Sequence, residues 1–322
     1  AQYVSSNSNV SVTAVTGNGS QANVNDLDAG ATDLAFCQSD VMSYAYNGTN
    51  LFEETGAVTS FSVVADLYLE QVQIVTTNPD IKTVADLKGK VVSVGAIGSG
   101  VYFNALDVLG AFIGDIVGSK YEFNNIKTKD FPLFSQGCDY TDDTIMTVAV
   151  AKALLLSRKE QFDKNGKGKG FQELLIETMQ EFWQKYPNPM GAYGSRFAQW
   201  LRLDYPKPYG SYGNGSAMRV SPCGLIAVTL EEALALARAS AGITHNHPEG
   251  FKGAEAVAAA VYMAKAGKLK ADIRQYITEK YYSLDFTLDS IRETYHFDGS
   301  CQGSVPQAIE AFLESGSFED AI

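Results

Sequence analysis

The sequence changes character about a third of the way along, and no other feature limits its possible folds as much. Before residue 108, short apolar runs of strand length alternate with turn and helix signals. From about Leu109 onward the apolar spacing is helical. Charge changes at the same place. Residues 1–107 hold no Arg and no His and carry a net −8, and the rest of the chain carries −4; the first Arg is Arg158 and the first His is His245. A chain of 322 residues can bury two cores. The two unlike halves predict two domains, residues 1–107 and residues 108–322.

In the first part Val10–Val15 alternates with period two and runs into Gly17-Asn-Gly19, a strand followed by a turn. Asp33–Cys37, Phe61–Val64, Val72–Thr76 and Val91–Val94 have the length of buried strands, and Val84–Gly89 reads as a short helix stopped by glycine. Such alternation predicts an α/β segment with a mostly parallel sheet. In the second part Thr144–Ser157, Phe171–Tyr186, Leu230–Ala241, Gly253–Ala266 and Val305–Glu314 have helical spacing, and Pro248 suits a first helical turn. The fold class expected is mainly α: an all-α domain of stacked helices behind an incomplete α/β segment.

Composition excludes some partners. A formal charge of −12 argues against a general nucleic-acid or anionic-membrane binder. No apolar run approaches the roughly 18–20 residues of a membrane span. Cys37, Cys138, Cys223 and Cys301 are far apart and read as isolated thiols, which favours a reducing compartment. The start Ala-Gln-Tyr-Val carries neither an initiator Met nor a basic-then-apolar leader, so it gives no address.

Four motifs could carry chemistry. Thr141-Asp-Asp-Thr144 offers hydroxyl and carboxylate oxygens ahead of an apolar helix, a donor set for Mg²⁺ or Mn²⁺. The same residues suit a helix N-cap, and both readings stand. Gly110, Gly114 and Gly118 leave one helix face bare, and Asp115 and Glu122 fall two turns apart along one side. Tyr209–Arg219 is a glycine-rich run into a helix whose amides suit pyrophosphate, with Arg219 as a phosphate clamp or an acid's partner; a plain loop is the alternative. Thr244-His-Asn-His-Pro-Glu-Gly250 lacks a second cluster to complete a zinc site. A histidine that contacts a ligand, or a buried structural one, fits it better. The basic loop Lys164–Gly170 lacks the strand and the Gly-Lys-Ser/Thr ending of a phosphate cradle and reads as a connection.

Together, in order, Gly110–Glu122, Thr141–Thr144, Gly213–Arg219, Thr244–Gly250 and Cys301–Gln307 resemble the ADP-ribosylglycohydrolase family over residues 109–322. The resemblance implies a metal-dependent all-α hydrolase that acts on ADP-ribosylated proteins or small ADP-ribose compounds. By position it implies Thr141, Asp142 and Asp143 as ligands of a Mg²⁺ or Mn²⁺ pair, and Glu122, Asp142 and Asp143 as the catalytic acids. It implies Asn214, Gly215, Ser216, Met218 and His245 at the ADP-ribose site. The family's later Asp-x-Asp-Thr ligands have no counterpart before Ile322, so weak ion binding is expected of this chain alone.

Residues 1–107 resemble a second family, the TAXI-class solute receptors of tripartite transporters, which are periplasmic-binding-protein-like. Asp26–Asp40, Ile81–Lys90 and Val92–Gly100 carry this likeness. It implies a loop at Gly95–Gly100 that contacts an acidic or amino-acid-like solute. The alternative function is therefore a solute-binding protein with an inert C-terminal region. The hydrolase likeness favours a cytoplasmic location, the receptor likeness a periplasmic or extracellular one.

Overall fold

The computed structural model describes residues 2–49, 52–65, 80, 110–133, 135–163 and 168–322. It is mainly α and divides into two compact units, Ala1–Val108 and Leu109–Ile322. Among the described residues β pairing is confined to two isolated bridges, Thr141 with Met190 and Gly213 with Ser300.

The first unit shows helices α1 (Gln2–Asn7), α2 (Ser20–Asp28) and α3 (Ser39–Asn47). Val24, Val41, Tyr44, Ala45, Phe52 and Val58 form its core. The expected strands at Val10–Val15, Asp33–Cys37 and Phe61–Val64 are not strands: these segments are irregular and largely exposed. Short β-rich runs become strands only where a neighbour completes the ladder, and no described segment does so here. The runs expected at Val72–Thr76, Val84–Gly89 and Val91–Val94, and the loop Gly95–Gly100, lie outside the described residues.

The second unit opens with helix α4 (residues 110–118). It continues with α5 (Asp142–Asp163), α6 (Phe171–Lys185), α7 (Ser195–Trp200), α8 (Ser221–Ile226), α9 (Leu230–Gly242) and α10 (Pro248–Lys265). It closes with α11 (Lys270–Lys280), α12 (Leu288–Ile291), α13 (Cys301–Glu314) and α14 (Phe318–Ala321). One core joins α5 to α10 through Met146, Leu175, Met179, Trp200 and Val220. A second lies on the other side of α10, among Ile273, Ile277, Leu284, Val305 and Ile309.

Helix α10 can be a wall between two cores because its buried positions are small, including Ala254, Ala256, Ala258, Ala259 and Ala260. Two glycines let neighbours come close. A Cβ at Gly224 would lie 2.7 Å from the Ala258 carbonyl oxygen, and one at Gly253 would lie 2.5 Å from the Cys301 sulfur. All four cysteines are free thiols. Pro248 stands in the first turn of α10 as expected, and His247 caps that turn by accepting from the Glu249 amide at 3.1 Å. No described helix is long and apolar enough to cross a membrane.

Candidate active site

Helix α5 begins at Asp142, and its first amides need acceptors that the helix cannot supply. Asp115, from the middle of α4, and Thr141, just before the helix, share this work. Asp115 accepts from the Thr141 amide (2.9 Å) and hydroxyl (2.6 Å) and from the Thr144 amide (3.2 Å) and hydroxyl (2.6 Å). Thr141 Oγ1 in turn accepts from the Asp143 amide at 3.1 Å. Capping is therefore the work of Thr141 and Asp115. The Asp142 carboxylate also accepts from its own amide, so the capping reading extends to it, while no capping bond involves the Asp143 carboxylate.

Those two carboxylates share a patch of one sign. Burial pushes Asp142 up to about 7, with the neighbouring Glu122 and then Asp115 adding to the rise. Asp143 is raised well above the ordinary carboxylate range by burial and then by Asp142, Asp115 and Glu122. Glu122 is raised by burial and by Asp115. No basic group contributes to any of these shifts. Consecutive helix residues point about 100° apart, yet both aspartates feel the same two acids. Oxygen donors with uncompensated negative charge fit a hard divalent cation. They are not closed into a cage: among the described residues, no three His, Cys, Asp or Glu side chains are arranged to hold a metal ion.

Glu122 arrives at this patch by a route the spacing misjudged. Two turns along one side of a helix would need α4 to reach residue 122, but the helix ends at 118 and a turn follows. Gly118 is the last helical residue, and Ser119–Lys120 begin the turn. Freed from the helix, Glu122 lies against Gly191. A Cβ built there would sit 2.6 Å from Glu122 Oε2. Gly191 is the third residue of a turn closed by the Ala192 amide on the Pro189 carbonyl at 3.1 Å, and its φ of +78° is what a type II turn demands there. Met190 pairs with Thr141, and Tyr193 donates its hydroxyl to the Tyr186 carbonyl at 2.8 Å while feeling the charge of Asp142. The Met190–Tyr193 segment was not foreseen, although Pro189-Met-Gly191 is a turn signal.

The second group of expected residues surrounds His245. The ring's Nδ1 is 2.7 Å from Thr244 Oγ1, and its Nε2 faces the glycine loop: Cβ atoms at Gly213 and Gly215 would lie 3.7 and 3.2 Å from it. Burial, then Arg219 and Arg196, drive the imidazole down to about 3, so it is neutral. Asn214 is tied to α13 through its Nδ2 on Ser304 Oγ (3.1 Å) and its amide on the Gly299 carbonyl (2.8 Å). Ser216 is fully buried and donates to the Gly250 carbonyl at 2.8 Å, which holds the loop against α10. Arg219 is no phosphate clamp. It is fully buried and donates to the Ser240 carbonyl (2.8 Å) and Thr244 Oγ1 (2.9 Å), positioning the histidine's neighbour.

One bond links the two groups. Thr147, one turn after Asp143 on α5, donates to the Met218 carbonyl at 3.3 Å. The carboxylates thus lie about one helical pitch (roughly 5.4 Å) along α5 from the turn that carries Met218. Two surface clefts lie elsewhere on this unit, one lined by Leu284, Phe286 and Glu310, the other by Trp183, Leu203 and Tyr205.

Comparison with known proteins places two families on the chain. The ADP-ribosylglycohydrolase model matches residues 107–322. The NMT1-like family model matches residues 1–129, so both cover α4 and Glu122. A solved structure described as "ADP-ribosylglycohydrolase-related protein complex" is similar with a TM-score of 0.48 and 20% identity, covering 67% of this chain and 76% of that one.

Proposed function

Since the chain belongs to the ADP-ribosylglycohydrolase family, we propose that it hydrolyses the bond between ADP-ribose and an acceptor, with a divalent ion at the start of α5. The observation that carries this reading is the clustering of Asp142 and Asp143 with Glu122, with no basic group among the influences on them, at a helix start that Asp115 and Thr141 cap. The carboxylates of Asp142 and Asp143, with the free lone pair of Thr141, would hold Mg²⁺ or Mn²⁺, with Glu122 beside them. When bound, such an ion supplies Lewis acidity and a water of lowered pKa.

The chain's own groups do the rest. Glu122, raised by burial and by the neighbouring Asp115, is the acid placed to exchange a proton with water or with a departing group. Gly213 and Gly215 let the loop backbone close on the His245 ring, which keeps that ring beside the expected ADP-ribose loop. Asn214, fixed through Ser304, and Met218, fixed through Thr147, keep that loop in register with α5. His245 serves as a neutral polar surface, since a base driven to about 3 holds no proton at neutral pH.

The NMT1-like match over residues 1–129 favours a second reading, a solute-binding front segment for small acids. Calorimetry separates the two. The intact chain is titrated with ADP-ribose in the presence of Mg²⁺ and, separately, with glutamate. Heat with ADP-ribose that disappears in EDTA supports the hydrolase reading; heat with glutamate alone contradicts it.

A further inference from the structure

Every charged group at the start of α5 is fixed by a hydrogen-bond partner or by its own helix, except Glu122, which stands on an irregular turn after α4. What bounds its carboxylate is a missing side chain. The Pro189–Ala192 turn brings the Gly191 Cα to the spot where a Cβ would meet Glu122 Oε2 at 2.6 Å and Cδ at 3.5 Å. The turn is anchored from both sides. Met190 pairs with Thr141 at the cap of α5, and Tyr193 is tied to the end of α6 through the Tyr186 carbonyl. The next residue, Ala192, also has a positive φ of 61°, the one such non-glycine residue among those described. Two successive left-handed residues aim the turn at the carboxylate, and the surrounding anchors hold them there.

We infer that Gly191 is a positioning residue: its bare Cα forms the seat of the Glu122 carboxylate and sets that carboxylate's distance from Asp142 and Asp143. The inference rests on the metal-dependent reading for its consequence and on geometry alone for the seat. The contact at 2.6 Å is with the far end of a flexible side chain. A methyl group at 191 would therefore push the carboxylate aside rather than unfold the turn.

The test uses the full chain and four variants: Gly191→Ala, Glu122→Ala, both together, and Gly137→Ala. Gly137 has a φ of +96° and open space around its Cβ position, so it reports backbone strain alone. Mn²⁺ affinity is read from the electron paramagnetic resonance of free Mn²⁺, folding from thermal melting, and the seat from a crystal structure of Gly191→Ala. The expected melting loss of Gly191→Ala matches that of Gly137→Ala, about 2–4 °C. Its Mn²⁺ affinity falls about 10- to 100-fold. Adding Gly191→Ala to Glu122→Ala weakens Mn²⁺ no further, because the residue acts through Glu122.

An unchanged Glu122 position in the Gly191→Ala crystal overturns the inference, as does an affinity loss that persists in full without Glu122. If Gly191→Ala alone cannot fold but folds once Glu122 is removed, the seat is supported; failure in both backgrounds overturns it. Should the parent chain bind no Mn²⁺, the metal reading fails, and the Glu122 position in the variant crystal still decides the inference.

Discussion

Burial and two neighbouring acids push Asp142 up to about 7, against an ordinary 3.8. The sign of the consequence follows from linkage. Between those values the folded chain holds a proton that the unfolded chain has lost, so stability falls as pH rises from about 4 to 7. The loss is on the order of 4 kcal/mol. His245 acts the other way. Its folded value of about 3 lies below the ordinary 6.5, so it costs stability as pH falls from 6.5 toward 3. In the parent chain the two slopes oppose each other over a shared window. Urea unfolding across pH 3.5–8 in EDTA separates them. Asp142→Asn gains on the parent as pH rises through 4–7, and His245→Gln gains on it as pH falls below 6.5. Parallel profiles for all three proteins would contradict this assignment of charge.

At the scale of elements, the junction of α4 with α5 rests on one carboxylate. Asp115 accepts four hydrogen bonds from Thr141 and Thr144. Asp115→Ala leaves the first turn of α5 without these acceptors and should cost about 2–4 kcal/mol, read as a lower denaturation midpoint. Asp115→Asn, which keeps one acceptor oxygen, should lose less. Much of this architecture was legible in the sequence, because α5, α6, α9, α10 and α13 are long apolar-rich runs, whereas α7, α8, α11 and α12 were not foreseen. Helix α13 starts four residues before the expected Val305, since Ser300 caps it and Pro306 is tolerated near its start. The site was legible in its residues and not in its joins. Asp115 was visible as a carboxylate, but nothing local says that it reaches across to Thr141. The Pro189–Ala192 turn could be named as a turn, but not as the neighbour of Glu122, because that contact is set by tertiary packing. The front strands failed for a similar reason: a strand signal is a request for a partner, and period-two alternation does not show whether one is supplied.

At the scale of the whole molecule, the two units carry separate functional expectations, and the family matches overlap on residues 107–129. That overlap contains Glu122, whose carboxylate lies against Gly191 of the second unit. Whatever its origin, the segment works structurally with the hydrolase fold. On the proposed reading, the acids at the start of α5 are present for a cation held against ADP-ribose. Hydrogen exchange on the intact chain tests it most directly, comparing the parent with an Asp142→Asn, Asp143→Asn double variant, each with and without Mg²⁺ plus ADP-ribose. The account predicts slowed exchange at 141–147, 190–193 and 213–219 in the parent, no change over 2–49, and no slowing in the double variant. Equal protection in both proteins, or protection confined to 2–49, would contradict it.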